Sequence, residues 1–148
     1  MSRIYAKNKK ASFDYKFLDT YEAGLKLLGH EVKAIKKGLV SLQGGFIIIR
    51  GNEVYLTNIT IPPYQERNLT RDYDPERTRK LLLKKKEILE LENKLQTRGL
   101  TLVPIKLYNK RGLIKLEFAL ASGKKKYDKR ESIKKRDADR KIQRRLRN

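Results

Sequence analysis

The sequence predicts an all-β body that carries helices, followed by a basic C-terminal tail. Three observations predict it. Two pairs of strand-like runs flank turns: Phe46 to Arg50 with Val54 to Ile59 around Gly51-Asn52, and Leu100 to Leu107 with Leu113 to Ala119 around Tyr108 to Gly112. Between the pairs, Asp74-Pro75-Glu76 opens a helix-like segment. The composition then shifts at Ala121-Ser122-Gly123, where apolar alternation gives way to charge.

Taken in order, Phe13 to Leu18 reads as a strand, and Tyr21 to Leu28 as its continuation. His30 to Lys37 fits one or two turns of helix. Val32, Ile35 and Leu39 lie on one side and Lys33, Lys36 and Lys37 on the other, with Gly38 as the stop. The first hairpin follows, and Ile61-Pro62-Pro63 ends its second strand. Asp74 is an N-cap acid, Pro75 suits the first helical position, and Glu76 sits near the positive dipole end. The helical pattern runs through Leu81, Leu82, Ile88, Leu89, Leu91 and Leu95 to a basic and glycine stop at Arg98-Gly99. The run Leu81-Leu82-Leu83 is wider than one helix face, which predicts a kink or a second buried contact there. Strands, a helix, then strands suggest a small closed antiparallel β-barrel with flanking helices. An oligonucleotide-binding-type barrel is one such architecture.

A chain of 148 residues holds one domain and a tail, read as a body over 1–122 and a tail over 123–148. The longest apolar run, Phe46 to Ile49, is far short of the roughly 20 residues of a membrane span. The N-terminus shows no charged-then-apolar signal pattern, so the expected location is cytoplasmic. No cysteine is present, which fits a reducing compartment.

Charge is the strongest signal. Thirty-seven Lys and Arg against 17 Asp and Glu give +20 at pH 7. Such an imbalance repels itself, and a polyanion would relieve it through neutralisation and counterion release. From Gly123 onward 13 basic residues face 4 acids. Within this tail Ile142 and Leu146 lie four apart in a helical rhythm, but the charge density predicts disorder until a partner binds.

Nothing in the sequence assembles a catalytic constellation, and no enzyme, metal or cofactor is expected. His30 is the sole histidine and reads as structural or solvent-facing, not catalytic. Gly44-Gly45 precedes a strand instead of opening a helix, so it is not a phosphate loop. Asp72, Asp74 and Glu76, and Glu87, Glu90 and Glu92, read as caps and solvated ion pairs. Binding signals are better. Lys7 to Lys10, Lys33 with Lys36-Lys37, Arg77 to Lys80, and Lys124 to Tyr127 mix basic groups with aromatic or small polar ones. Lys and Arg neutralise phosphates, and aromatic rings stack on unpaired bases. Composition alone supports an RNA-delivery adaptor and a structural ribosomal protein equally well.

Four blocks carry a more specific signal: NKKASFDY (Asn8 to Tyr15), YEAGLKLLGHEVKAIKKG (Tyr21 to Gly38), YDPERTRKLLL (Tyr73 to Leu83) and GKKKYDKRESIKKRD (Gly123 to Asp137). In order and spacing the chain resembles the SsrA-binding protein family, also called small protein B, from Asn8 to about Arg145. The resemblance implies an oligonucleotide-binding-type barrel and binding to the tRNA-like domain of transfer-messenger RNA. It implies delivery of that RNA to stalled ribosomes, with the tail entering the decoding centre and empty message channel as a helix. Carried over by position, Asn8 and Lys9 would face RNA, and Glu22, Lys33, Leu82 and Lys115 match positions associated with the tRNA-like domain. Arg77, Arg79 and Lys80 would add charge. Phe13, Gly123, Lys124, Tyr127, Asp128, Lys129, Arg130, Ile142 and Leu146 would engage the ribosome. Phe13 stands where some members carry a histidine, so it can stack but cannot donate a hydrogen bond. Lys84 replaces a polar amide of some members. Two roles stay open for Glu22: accepting from a cytosine amino group or ribose hydroxyl, or a salt bridge that orients a nearby lysine.

Overall fold

Alternation of β-branched and apolar residues with polar ones fixes the strands, and the observed order is β1 (Ile4–Lys7), α1 (Lys9–Asp14), β2 (Tyr15–Leu25), α2 (Gly29–Lys36), β3 (Phe46–Arg50), β4 (Glu53–Thr57), β5 (Arg79–Leu82), α3 (Lys85–Lys94), β6 (Leu100–Lys110) and β7 (Leu113–Gly123). The structure is a computed structural model that describes residues 3–64, 72–124, 136 and 140. Among the described residues no helix is long and apolar enough to cross a membrane.

All strand pairings are antiparallel, in the order β1-β6-β3-β4-β5-β2-β7, and β6 also pairs with β7. Six strands thus form a closed ring of pairings, while β1 and β3 share one edge of β6. The inward side chains make the main core, with Ile35 of α2, Leu56, Leu81, Leu102, Leu107, Leu116 and Phe118 among its buried members. Strands β6 and β7 are buried on both faces. Leu102 and Leu116 point into the ring, while Val103, Ala119 and Ala121 lie in a second cluster with Ala11 of α1. Small residues let α1 sit close on the outside of the ring.

The β2 strand is a single run of 11 residues interrupted by a register shift between Phe17 and Asp19. Its two sequence-predicted pieces are therefore one element. Phe13 is not in it: Asn8 caps α1 by accepting from the Ala11 N–H at 3.2 Å, and Phe13 falls in that helix. Neither β1 nor α1 was expected, because each is too short to show a period.

The largest correction concerns residues 74–98. Pro75 and Asp74 do form a turn, in which Asp74 Oδ1 accepts from the Glu76 N–H at 2.9 Å and its carbonyl from the Arg77 N–H at 3.1 Å. The turn does not propagate. Arg79 to Leu82 instead pair with β2 and β4, which consumes the leucine run as a strand. Arg79 and Leu81 face inward and Lys80 and Leu82 outward, the period of two that a strand imposes. The helix starts afresh at Lys85, with Glu87 Oε1 accepting from the Lys84 N–H at 3.2 Å. In α2 the buried residues are Glu31, Ala34 and Ile35, and Leu39 is exposed instead of packing with Ile35.

The loop between α2 and β3 is tightly fixed. A Cβ on Gly45 would lie 2.5 Å from Ile59 Cγ2 and 3.1 Å from the Leu42 carbonyl. Gly45→Ala should destabilise the protein by about 1–3 kcal/mol through overpacking, read as a lowered urea midpoint. A midpoint equal to that of the parent would show that the loop yields.

Candidate nucleic-acid interface

Three sequence-distant segments meet at one groove. Residue Gly24 of β2 stands opposite both Leu82 of β5 and Lys115 of β7. Lacking a side chain, it leaves space that Leu82 and Lys115 occupy: a Cβ there would be 3.5 Å from Leu82 Cβ and 3.5 Å from Lys115 Nζ. The groove measures about 850 Å³ and is walled by Glu22, Lys80, Leu82, Lys84, Lys85 and Lys115, among others. Leu82 is 53% exposed, an apolar ridge amid cations. A smaller apolar hollow of about 240 Å³ continues past Leu82 toward Leu25, Val32, Lys36 and Leu113.

Glu22 has a defined setting in this groove. It stands directly opposite Glu117 on β7, an arrangement that repels unless each carboxylate is neutralised. Lys106 bonds to Glu117 at 3.3 Å, and Lys110 Nζ donates to both Glu22 oxygens at 3.1 and 3.2 Å. The Tyr108 hydroxyl also donates to Glu22. That hydroxyl bond, chiefly, holds the Glu22 carboxyl below the usual carboxylate range; burial opposes it, and Lys110 and the charge of Lys115 add to it. Burial first, and then the same bond, pushes the Tyr108 hydroxyl up. Glu22 is therefore ionised near neutral pH and fixed in direction. The salt bridge to a nearby lysine, one of its two sequence readings, is formed with Lys110.

The other sequence-predicted residues divide. Lys9 and Lys33 are exposed on α1 and α2. Lys80 lies at the groove and pairs with Glu53 at 3.1 Å. Asn8 and Arg79 do not present themselves to a ligand. Asn8 is 7% exposed, and its Nδ2 donates to the carbonyls of Pro104 at 3.0 Å and Leu42 at 3.3 Å. Pro104 has no N–H and sits at a register shift in β6, so the Asn8 amide serves a carbonyl the ladder leaves over. Arg79 is 0% exposed, and so is Glu31. Arg79 Nε and Nη2 donate to Glu31 Oε2 at 2.9 and 2.7 Å, with further bonds to the Pro75 carbonyl at 2.9 Å and the Ile59 carbonyl at 3.2 Å. Arg77, half-exposed, bonds to the same carboxylate.

Sequence reasoning missed Glu31. The available signal was the strand period, which places Arg79 inward with Leu81 and so demands a buried acid. Burial alone would push the Glu31 carboxyl up. Hydrogen bonds from Arg77, the Leu28 N–H and Arg79 outweigh that and hold it at about 2. The network ties α2 to the segment that leads into β5, and so sets where Lys80 and Leu82 emerge. His30 stacks edge-on against Tyr73 at 4.3 Å beside it.

Of the expected ribosome-engaging residues, Phe13 lies on α1, Gly123 ends β7 and Lys124 follows it. The Lys124 N–H donates to the Asp14 carbonyl at 3.0 Å, and the Arg136 guanidinium stands 5.2 Å from the centre of the Phe13 ring. Tyr127, Asp128, Lys129, Arg130, Ile142 and Leu146 lie outside the described residues, as do the expectations about the tail's conformation.

Fold and groove together define a small, strongly cationic β protein whose groove combines lysines with an exposed leucine. A family model described as SmpB protein matches residues 5–148. Over 143 residues the chain is 50% identical to the SsrA-binding protein of Streptococcus mutans, covering 97% of this chain and 92% of that protein. With the SsrA-binding protein of Thermosipho africanus the identity is 52% over 141 residues, covering 95% and 94%. A chain from a solved structure described as "tmRNA-SmpB: a journey to the center of the bacterial ribosome" superposes with a TM-score of 0.66 at 43% identity, covering 86% of this chain and 92% of that one. The chain belongs to the SmpB protein family.

Proposed function

We propose that this chain binds the tRNA-like domain of transfer-messenger RNA and brings it to stalled ribosomes for trans-translation, as a cytoplasmic RNA-binding protein and not as an enzyme. The observation that carries the reading is the convergence of Glu22, Leu82 and Lys115 on one groove from strands far apart in sequence. Lys80 and Lys115 neutralise phosphates there, and Leu82 offers an apolar face to a base or ribose. Glu22, held by Tyr108 and Lys110, keeps Lys110 at the groove's edge. Supporting it are relatives named SsrA-binding protein and the likeness to a chain of the solved structure whose description names tmRNA-SmpB and the bacterial ribosome. On this reading the closed ring is an oligonucleotide-binding-type barrel that acts as a monomer, and residues 123–148 are the part that engages the decoding centre and message channel.

The test is a salt titration of binding to the isolated tRNA-like domain against an unrelated RNA of equal length. If about 6 phosphates are contacted, log affinity should fall with log salt at a slope of roughly −4 to −5. Lys115→Ala should weaken binding several-fold and reduce that slope by about 1. A flat titration, or equal affinity for the two RNAs, rules the reading out.

A further inference from the structure

The groove is far less cationic than the chain around it. Its described walls hold four lysines, Lys80, Lys84, Lys85 and Lys115, against three carboxylates, Glu22, Glu53 and Glu87. The whole chain has 37 basic residues against 17 acids. A surface built only to attract a polyanion would exclude acids, so each carboxylate needs a physical account. Glu22 is bound by Tyr108 and Lys110, and Glu87 caps α3 through the Lys84 N–H. Glu53 instead holds a lysine of the groove itself, Lys80.

The strand period places Glu53 there. Val54 and Leu56 of β4 are wholly buried, so Glu53 and Tyr55 face outward. The register sets Tyr55 against Lys80 of β5 and Val54 against Leu81, which leaves Glu53 on the same face as Lys80 and Leu82. Glu53 Oε1 accepts from Lys80 Nζ at 3.1 Å, and the Tyr55 hydroxyl donates to the same carboxylate. These bonds, the tyrosine's first, hold the Glu53 carboxyl below the usual carboxylate range, so it is charged near neutral pH. Tyr55 thus fixes a negative charge beside the exposed Leu82 ridge.

The pair acts on an approaching RNA in two ways. Lys80 has three N–H donors and Glu53 engages one, so a phosphate that comes from the Lys115 side still finds a partner. A phosphate that comes from the side of the β3–β4 hairpin meets the carboxylate and is repelled.

We propose that Glu53 is a specificity-determining residue of the groove: it repels RNA backbones that do not set a phosphate between Lys80 and Lys115, and so reserves Lys80 for RNA of the right shape. The proposal rests on the groove's being the site for the tRNA-like domain, and it concerns how that site rejects other RNA.

The experiment compares full-length parent, Glu53→Gln and Glu90→Gln for binding to the tRNA-like domain and to an unrelated RNA of equal length. Glutamine keeps an acceptor for Tyr55 and Lys80 and removes only the charge. Glu90 lies on α3 and pairs with Lys94, outside the groove walls, so its variant makes the same change in net charge elsewhere. Glu53→Gln should raise affinity for the unrelated RNA about fivefold and leave that for the tRNA-like domain within about twofold. The salt slope for the unrelated RNA should steepen by about 1, as Lys80 gains a phosphate. Glu90→Gln should leave the ratio of the two affinities at the parent value. Glu53 is exposed, so the variant should fold, and circular dichroism checks it. A ratio in Glu53→Gln equal to that of the parent overturns the proposal, whether both affinities stay or both rise. So does weaker binding of the tRNA-like domain in Glu53→Gln, since Glu53 would then be a direct contact. An equal loss of preference in Glu90→Gln also overturns it, because net charge alone would explain the effect. A parent with no preference for the tRNA-like domain overturns the reading of the groove together with the proposal, whereas a parent preference that Glu53→Gln fully retains overturns the proposal alone.

Discussion

Replacing Glu31 with alanine should destabilise the protein by about 3–5 kcal/mol, a large part of the roughly 5–15 kcal/mol that holds a typical domain. The cost comes from what is left behind. Arg79 is wholly buried, cannot lose its proton, and would face the core with only carbonyls and the Tyr73 hydroxyl as partners. Arg77→Ala should cost much less, because its side chain is 30% exposed and the Arg79 bonds to Glu31 survive. Replacing Glu31 and Arg79 together with apolar residues of similar volume should recover most of the loss. Acid should reveal the same network. The Glu31 carboxyl titrates at about 2 in the folded protein against 4.5 ordinarily, so unfolded chains bind protons first as pH falls. Its stabilisation is complete above about pH 4.5 and disappears between there and about pH 2. Urea midpoints taken from pH 7 to pH 3 should drop in the parent and drop less in Glu31→Ala. Equal acid sensitivity in both would remove Glu31 from the account.

Cutting the chain after Lys124 should leave affinity for the tRNA-like domain within about twofold of the parent and reduce peptide tagging on stalled ribosomes to background. The cut falls outside the last strand. β7 ends at Gly123, and Lys124 makes the closing bond to Asp14, so every described wall of the Leu82 groove is kept. What goes is a segment of high positive charge density, and part of the non-specific attraction for RNA goes with it. Binding assays at two salt concentrations separate that effect from groove affinity. Tagging measured on ribosomes halted at the end of a truncated message gives the second readout. Parallel loss of both activities would contradict a division of labour between body and extension.

Much of this was legible in the sequence because period and charge are local. The Gly51-Asn52 hairpin is present, with Arg50 opposite Glu53, and so is the Leu100 hairpin. The groove residues were found by family resemblance, since no local pattern links Glu22, Leu82 and Lys115. The segment around Arg79 was misread for a physical reason. Asp74-Pro75-Glu76 is a sound helix opening, and only the available edges of β2 and β4 turn the following residues into a strand. Arg79 and Asn8 were expected to face RNA by family resemblance, which carries position but not burial. Their burial depends on distant partners, Glu31 for one and the carbonyls of Leu42 and Pro104 for the other.

The β2 strand has one long-range consequence. Its principal neighbour is β7, with Tyr15 set against Gly123 and Gly24 against Lys115. During synthesis, the first long strand therefore waits for the last before its edge is covered. Until then it offers open N–H and C=O groups to any other extended chain, the hazard of an unprotected edge. Nascent chains cut off before residue 113 should accordingly aggregate or be degraded, and maturation should lag behind translation, as in folds dominated by distant contacts.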